Sequence, residues 1–88
     1  MKAYCKDFDA TGSWAALSGT YLGFKGNLGA LPSNPTNLQI RVGTDASTEI
    51  ELVAGEYWPI DGCDISQLQI KGAGCVLRAF GVTVSGGW

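Results

Sequence analysis

Hydrophobic and polar residues alternate most clearly between residues 38 and 53. Residues 38–42 read Leu-Gln-Ile-Arg-Val and residues 50–52 read Ile-Glu-Leu, the period-2 pattern of half-buried strands. The segment between them is rich in turn-forming residues. A hairpin across it places Ile40 opposite Ile50 on one face, and the polar residues meet on the other. The pattern therefore predicts an antiparallel hairpin whose apolar face is buried.

A second hairpin is predicted over residues 65–84. Two apolar-rich segments flank the turn Lys-Gly-Ala-Gly at residues 71–74. The register that sets Ile70 opposite Leu77 keeps apolar residues on one face, whereas a shift by one residue would bring a charged side chain into it. Gly81 is expected to mark a β-bulge in the returning strand.

The first 37 residues are less regular. Short strands are expected at residues 2–8 and 20–24, a helical turn at residues 14–18, and a loop at residues 31–37, which contain two prolines. Pro59 predicts an edge strand or a strand end, because proline has no backbone N–H to donate to a ladder. The chain is thus predicted to be all-β, a small antiparallel β-sandwich or barrel built on two hairpins.

The chain has 88 residues, which suffices for one domain. We expect a single β domain over residues 1–88. It comprises an irregular N-terminal segment (1–37), a two-hairpin core (38–84) and a C-terminal tail (85–88).

Charge and composition exclude several classes of function. Hydrophobic residues make up 45% of the chain and charged residues 16%, below the roughly 25% charged residues of an average soluble domain. The net charge is −2 and the six Lys and Arg residues are scattered, so no nucleic-acid partner is expected. No apolar stretch is long enough to span a membrane or to form a signal peptide. We therefore expect assembly in a cytoplasm.

The residues that usually carry catalysis or metal binding are missing or dispersed. The chain has no histidine, and its eight acidic residues are spread along it. The two carboxylates of residues 61–64 resemble a calcium loop but lack its further ligands. The glycines of residues 23–29 are not followed by a helix, so they predict a flexible loop and not a phosphate site. The three cysteines are expected to be reduced, buried and inert. We expect no cofactor, no metal and no enzymatic activity.

Aromatic and aliphatic residues in the first third predict a protein interface. Residues 13–31 contain one charged residue, Lys25, among many apolar ones. A domain of this size is not expected to hide them all in its own core. Residues 1–12 are expected to be dispensable for folding. Trp88 follows a Ser-Gly-Gly spacer and suits docking into a neighbour. The candidate interface residues are Trp14, Leu17, Tyr21, Leu22, Phe24, Trp58 and Trp88.

The region from residue 38 to residue 84 resembles small structural proteins of tailed bacteriophages. The resemblance rests on Leu-Gln-Ile-Arg-Val-Gly (38–43), Ile-Glu-Leu-Val-Ala-Gly-Glu (50–56), Pro-Ile-Asp (59–61) and Ile-Ser-Gln-Leu-Gln-Ile-Lys-Gly (65–72). It covers about half of the chain. It implies a virion location, assembly in the host cytoplasm, and a homo-oligomer, with a trimer favoured. The implied partner is the major capsid protein or another virion protein.

Two functions follow as expectations. The first is a phage capsid decoration (cement) protein that binds and stabilises the shell of the major capsid protein. The alternative is a tail, baseplate or head-fibre module for host attachment that binds carbohydrate through its aromatic residues, Trp58 among them.

Overall fold

The structure, a computed structural model, describes residues 2–84, without the side chain of Val84. In this range eight strands form two antiparallel sheets. No helix among these residues has the length and apolarity needed to cross a membrane. The strands are β1 (Lys2–Asp9), β2 (Ala15–Ala16), β3 (Gly23–Ala30), β4 (Leu38–Val42), β5 (Ile50–Leu52), β6 (Tyr57–Asp64), β7 (Leu68–Lys71) and β8 (Val76–Val84), with 3₁₀ helices at Ala46–Thr48 and Ile65–Gln67.

The two sheets pack face to face around one core. Sheet A has the strand order β1-β8-β3-β6, and sheet B has the order β2-β7-β4-β5. Phe24, Leu28 and Leu77 from sheet A are fully buried in one cluster with Leu38 and Ile40 from sheet B. Because successive side chains of a strand point to opposite faces, each sheet gives one apolar face to this core. The all-β prediction is confirmed, and the architecture is that of a sandwich.

The first predicted hairpin is confirmed, but one of its residues is not buried. Strands β4 and β5 pair with Leu38 opposite Leu52 and Ile40 opposite Ile50. Ile40 is fully buried, whereas Ile50 is 36% exposed. Strand β5 has three residues and lies at the edge of sheet B. Ile50 therefore lies at the margin of the core, and the prediction that it is buried against Ile40 is wrong.

The second predicted hairpin is wrong. Strand β7 pairs with β4 and β2 in sheet B, where Ile70 lies opposite Ile40. Strand β8 lies in sheet A between β1 and β3, where Leu77 lies opposite Ala30. The turn between them, closed by a hydrogen bond from Cys75 N–H to Gly72 O (3.0 Å), carries the chain from one sheet to the other. Alternation determines which side of a strand faces the core, but it does not determine which strand lies beside it.

The glycine-rich segment predicted as a loop is the third strand of sheet A. At the β3–β8 pair, Gly26 lies directly opposite Gly81. A Cβ atom at Gly26 would lie 2.3 Å from the carbonyl oxygen of Phe80, and one at Gly81 would lie 2.2 Å from that of Lys25. The glycines thus allow two backbones to approach more closely than side chains permit. Register is continuous through Gly81, so the bulge predicted there is absent. The register shift lies between β3 and β6 at Phe24/Gly26.

The N-terminal residues contribute more structure than the sequence suggested. Strand β1 begins at Lys2 as expected and pairs with β8 over eight residues. Ala10 is buried in the core, and its N–H donates to Cys75 O (2.9 Å). Loss of residues 1–12 would remove β1 and expose the edge of β8. We therefore now expect this deletion to destabilise the fold, in place of the expectation that these residues are dispensable. The helical turn predicted at residues 14–18 is wrong, because β2 is extended there.

Asp64, the last residue of β6, holds the end of this strand beside the beginning of β3 through hydrogen bonds. Its carboxylate accepts hydrogen bonds from the backbone N–H of Leu22 (2.9 Å) and of Ser66 (3.0 Å), and so caps the second 3₁₀ helix. These donors hold the pKa of the Asp64 carboxyl below its usual value, with the Leu22 N–H as the largest cause. Of the two carboxylates of residues 61–64, Asp64 therefore has a structural role. Within residues 2–84 no cluster of three potential metal ligands occurs.

The exposure difference between two opposite isoleucines gives a test of the fold. Ile40→Ala should lower the free energy of unfolding by about 2–5 kcal/mol, because it leaves a cavity in the core. Ile50→Ala, the matched control in the partner strand, should cost clearly less because that side chain is already part exposed. Urea unfolding of both variants measures the difference. Equal losses would contradict the position of β5 at the margin.

The glycine contact gives a second test. Gly81→Ala should destabilise the protein by about 1–3 kcal/mol, because the new methyl group forces β3 and β8 apart. Gly12→Ala is the control, since a Cβ atom there meets nothing within 4 Å. Thermal unfolding of the two variants should show a lower midpoint for Gly81→Ala alone. A Gly81→Ala variant as stable as the wild type would show that the strands do not approach here.

Candidate interaction surface

Strand alternation leaves the outer face of sheet A uncovered. On β8, Leu77 and Ala79 point into the core, so Arg78 and Phe80 point outward. The registers of the four strands align Phe80 with Cys5 of β1 on one side and with Asn27 of β3 on the other. This face is therefore built from residues far apart in the sequence.

Two aromatic rings form the centre of this face. The rings of Tyr57 and Phe80 meet edge to face, with centroids 5.6 Å apart and an interplanar angle of 89°. Tyr57 is 61% exposed. Its ring lies over Gly29, where a Cβ atom would be 2.5 Å from the ring. Glycine at this position lets the tyrosine lie across the sheet toward Phe80. The arrangement is an edge-to-face aromatic pair on the outer face of the sheet, with the tyrosine ring supported by the backbone of Gly29.

Two ion pairs flank the aromatic centre. Arg78 donates to both oxygens of Asp7, from Nε (2.7 Å) and from an Nη atom (3.0 Å). Lys25 lies 3.4 Å from Asp61. The hydrogen bonds from Arg78 are the largest cause that holds the pKa of the Asp7 carboxyl below its usual value. Each positive charge is matched by a negative one, so the face combines an apolar centre with a neutralised polar margin.

The residues predicted as an interface do not form one surface. Leu17 and Phe24 are buried in the core, so their side chains are not available to a partner. Leu22 and Trp58 pack against the core and are part buried. Tyr21 is 48% exposed in the connection between β2 and β3. Trp88 lies outside the described residues.

Trp14 lies beside two cations at sheet B. The Arg41 guanidinium is 4.2 Å from the ring centroid, and the Lys71 ammonium is 5.7 Å from it. Arg41 also donates from Nε to Gln69 (2.9 Å), which lies opposite it on β7. These cation–π contacts fix the tryptophan against the sheet. Trp14 therefore has a structural role that its position in the sequence did not reveal.

The cysteines are free, as expected, but they are not all buried. Cys75 is buried, and its thiol lies 3.3 Å from the Thr36 hydroxyl. Cys63 is part buried, which raises the pKa of its thiol, and the nearby Asp64 carboxylate raises it further. Cys5 is exposed on the outer face of sheet A, opposite Phe80. The prediction of three buried thiols is thus wrong for Cys5.

Comparison with known proteins gives no relative. No family model matches the chain, and neither the curated proteins nor the solved structures contain a match. Among residues 2–84 no enclosed pocket was found.

Sequence reasoning missed Tyr57 and Phe80, although a signal for each was present. Trp58 and Ile60 are two residues apart and share a face, so the apolar Ile60 marks Trp58 as inward and Tyr57 as outward. Phe80 is two residues from Arg78, whose charge marks that face of the strand as outward. What the sequence did not show is that the two rings lie on neighbouring parts of one sheet.

The Asp7–Arg78 pair predicts a pH dependence. Its contribution to stability should be complete above the carboxyl pKa of the unfolded chain, about 3.9 for aspartate. It should be lost as the pH falls through the lower pKa of the folded state. Arg78→Gln should return the Asp7 pKa toward its usual value, which NMR titration of the side-chain carboxyl measures. An Asp7 pKa that the substitution leaves unchanged would contradict the bidentate pair.

Proposed function

We propose that the chain is a non-enzymatic structural protein of a virion, a phage capsid decoration protein that binds the shell of the major capsid protein. The observation that carries this proposal is the outer face of sheet A, which presents the Tyr57–Phe80 aromatic pair. The resemblance of residues 38–84 to small phage structural proteins supplies the class of partner.

The chemistry of this face suits a protein partner. Protein interfaces have an apolar core enriched in aromatic residues and a polar rim. Here the Tyr57–Phe80 pair supplies the aromatic core, and the Asp7–Arg78 and Lys25–Asp61 pairs supply the rim. Because the rim charges already have partners, docking of a complementary surface need not bury a charge without a partner.

The rigidity of the face also favours binding. The strands of sheet A are eight or nine residues long and hold the aromatic pair on a backbone scaffold. The Tyr57 ring lies over Gly29 and meets the Phe80 ring edge to face, two contacts that favour this orientation of the ring. A side chain ordered before binding loses less entropy when a partner covers it.

The alternative, a tail, baseplate or head-fibre module that binds carbohydrate, has one observation in its favour. Tyr57 is exposed beside a second aromatic ring, an arrangement on which a sugar can stack. The stacking residue would be Tyr57 and not Trp58, which packs against the core. The two functions therefore depend on the same side chain and differ in the class of ligand.

Particle binding tests the proposal. Purified protein should co-sediment with capsid shells prepared without it, in stoichiometric copies. Tyr57→Ser should reduce binding to the shells by about tenfold or more, as truncation of a central aromatic anchor does. Tyr21→Ser is the matched control, because Tyr21 is an exposed tyrosine outside this face.

The outcomes separate the candidate surfaces and ligands. Loss of binding in Tyr21→Ser and not in Tyr57→Ser would favour the N-terminal interface expected from sequence. If the protein does not bind shells but binds an oligosaccharide array through Tyr57, the proposed function changes from capsid decoration to host attachment. Circular dichroism of both variants checks that the fold is unchanged.

A further inference from the structure

The two sheets have four edge strands among the described residues, and these differ in what they offer to another strand. Edge strands present unpaired backbone N–H and C=O groups that can bond to a further strand. In sheet B the edges β2 and β5 are two and three residues long. In sheet A the edges β1 and β6 are eight residues each. Only the edges of sheet A are long enough for extensive pairing.

The free edge of β6 is blocked at its centre. Ala30 N–H donates to Glu56 O (2.9 Å), and hydrogen-bonded and non-bonded pairs alternate from there along the ladder. The pair Asn27–Pro59 is therefore non-bonded, so the nitrogen of Pro59 points to the free edge, where it has no hydrogen to donate. Gly62, with φ 90°, departs from extended geometry near the end of the strand.

The free edge of β1 has no such block. The bond from Ala10 N–H to Cys75 O makes the even-numbered residues of β1 the ones that bond to β8. Leu31 N–H donates to Val76 O on the other side of β8, which agrees with this phase. The backbone groups of Ala3, Cys5 and Asp7 therefore point away from the sheet. The strand contains neither proline nor glycine.

We propose that β1 pairs with β1 of a second copy of this chain, antiparallel about a two-fold axis at Cys5. In this register Cys5 lies opposite Cys5 of the second copy, and Ala3 lies opposite Asp7. Lys6 lies opposite Tyr4, and Lys2 lies opposite Phe8. The two copies of sheet A become one continuous eight-stranded sheet.

The charge pattern of β1 selects this register. A shift of the axis to Tyr4 would set Lys2 against Lys6, and a shift to Lys6 would set Lys6 against itself. A shift to Asp7 would set two carboxylates opposite each other. Like charges directly opposite destabilise a strand pair. The register about Cys5 has no such pair and still overlaps residues 2–8.

Lys6 is the residue of β1 that could oppose this pairing, because an inward-facing lysine can protect an edge strand from pairing. Its ammonium lies 5.1 Å from the centroid of the Phe8 ring on the same face of β1. In the proposed pair it gains the Tyr4 ring of the second copy opposite it. The aromatic neighbours can thus hold the cation at the margin while its aliphatic stem packs.

This pairing rests on the edge of β1 and not on the proposed virion function. A two-fold contact produces a dimer, whereas the family resemblance favoured a trimer. Phe80 lies on β8, next to β1, and Tyr57 lies on β6 at the opposite edge of sheet A. Both rings lie on the outer face of the sheet, whereas the proposed pairing uses the backbone edge of β1, so the aromatic pair would remain open to a larger partner in the dimer.

Sedimentation and cross-linking test the pairing. The wild type should sediment with twice the chain mass of 9.2 kDa. Ala3→Pro removes an N–H that points to the free edge and leaves the β1–β8 bonds in place. It should weaken dimerisation by about tenfold or more. Ala3→Ser, which keeps the N–H, and Tyr57→Ser should both remain dimeric.

Cys5 gives an independent measurement. Residues opposite each other in a hydrogen-bonded pair have Cα atoms about 5.5 Å apart, within the range that a disulfide spans. Diamide should therefore oxidise the two Cys5 thiols to an intermolecular disulfide, taking up their two protons and two electrons. Peptide mapping should locate the bond at Cys5, and Cys5→Ser should abolish it.

Several results would overturn the proposal. They are a monomer at all concentrations, a trimeric mass, a dimer that Ala3→Pro leaves intact, or an intermolecular bond through Cys63. If Ala3→Pro also lowers the midpoint of thermal unfolding, loss of the dimer in this variant could come from unfolding. The position of the intermolecular disulfide in the wild type then decides whether β1 pairs with β1. A monomer that still binds shells through Tyr57 would end this inference and leave the proposed function standing.

Discussion

The close approach of β3 and β8 at Gly26 and Gly81 is the contact on which the arrangement of sheet A depends. Each glycine lies where a Cβ atom would meet the carbonyl oxygen of the other strand. This contact holds β8 in sheet A, with β1 on one side and β3 on the other. The direction of Phe80, the pairing of Arg78 with Asp7 and the edge position of β1 all follow from that placement.

The features of the fold that could be predicted from the sequence are those that depend on residues close together in the chain. Alternation between residues 38 and 52 predicted the β4–β5 hairpin and its register, because the two strands are neighbours in the sequence and a short turn joins them. Pro59 predicted an edge strand or a strand end, because the missing N–H of proline limits pairing whichever strand lies beside it. Both inferences depend on properties of one residue or one short segment.

The sequence did not predict which strands that are distant in the chain pair with each other. The segment Ile70 to Leu77 has the same apolar pattern whether its strands pair with each other or with β4 and β3. Burial of the same side chains satisfies both arrangements, so the hydrophobic pattern cannot distinguish them. The same ambiguity affected the residues that were expected to be exposed. A domain of this size was not expected to bury all the apolar residues of its first third, but Leu17 and Phe24 are buried in the core, and Tyr57 is exposed.

The two surfaces that we propose as binding sites differ in what they offer to a partner. The outer face of sheet A offers side chains, with an aromatic centre and neutralised charges around it. The edge of β1 offers backbone groups, with a charge pattern that matches itself. Side-chain surfaces select a partner by shape and chemistry, whereas strand edges pair through hydrogen bonds that any extended backbone can supply. Both features exist because β8 separates β1 from β3.

The most direct test of this account is NMR detection of contacts between the α-protons of facing residues in non-hydrogen-bonded strand pairs, where the Cα atoms lie about 4.5 Å apart. The β3–β8 register predicts such contacts between Gly26 and Gly81 and between Leu28 and Ala79. Their observation would establish β8 as the neighbour of β3. Cross-strand contacts between Ile70 and Leu77, in their place, would restore the hairpin over residues 65–84 and remove the basis for both proposed surfaces.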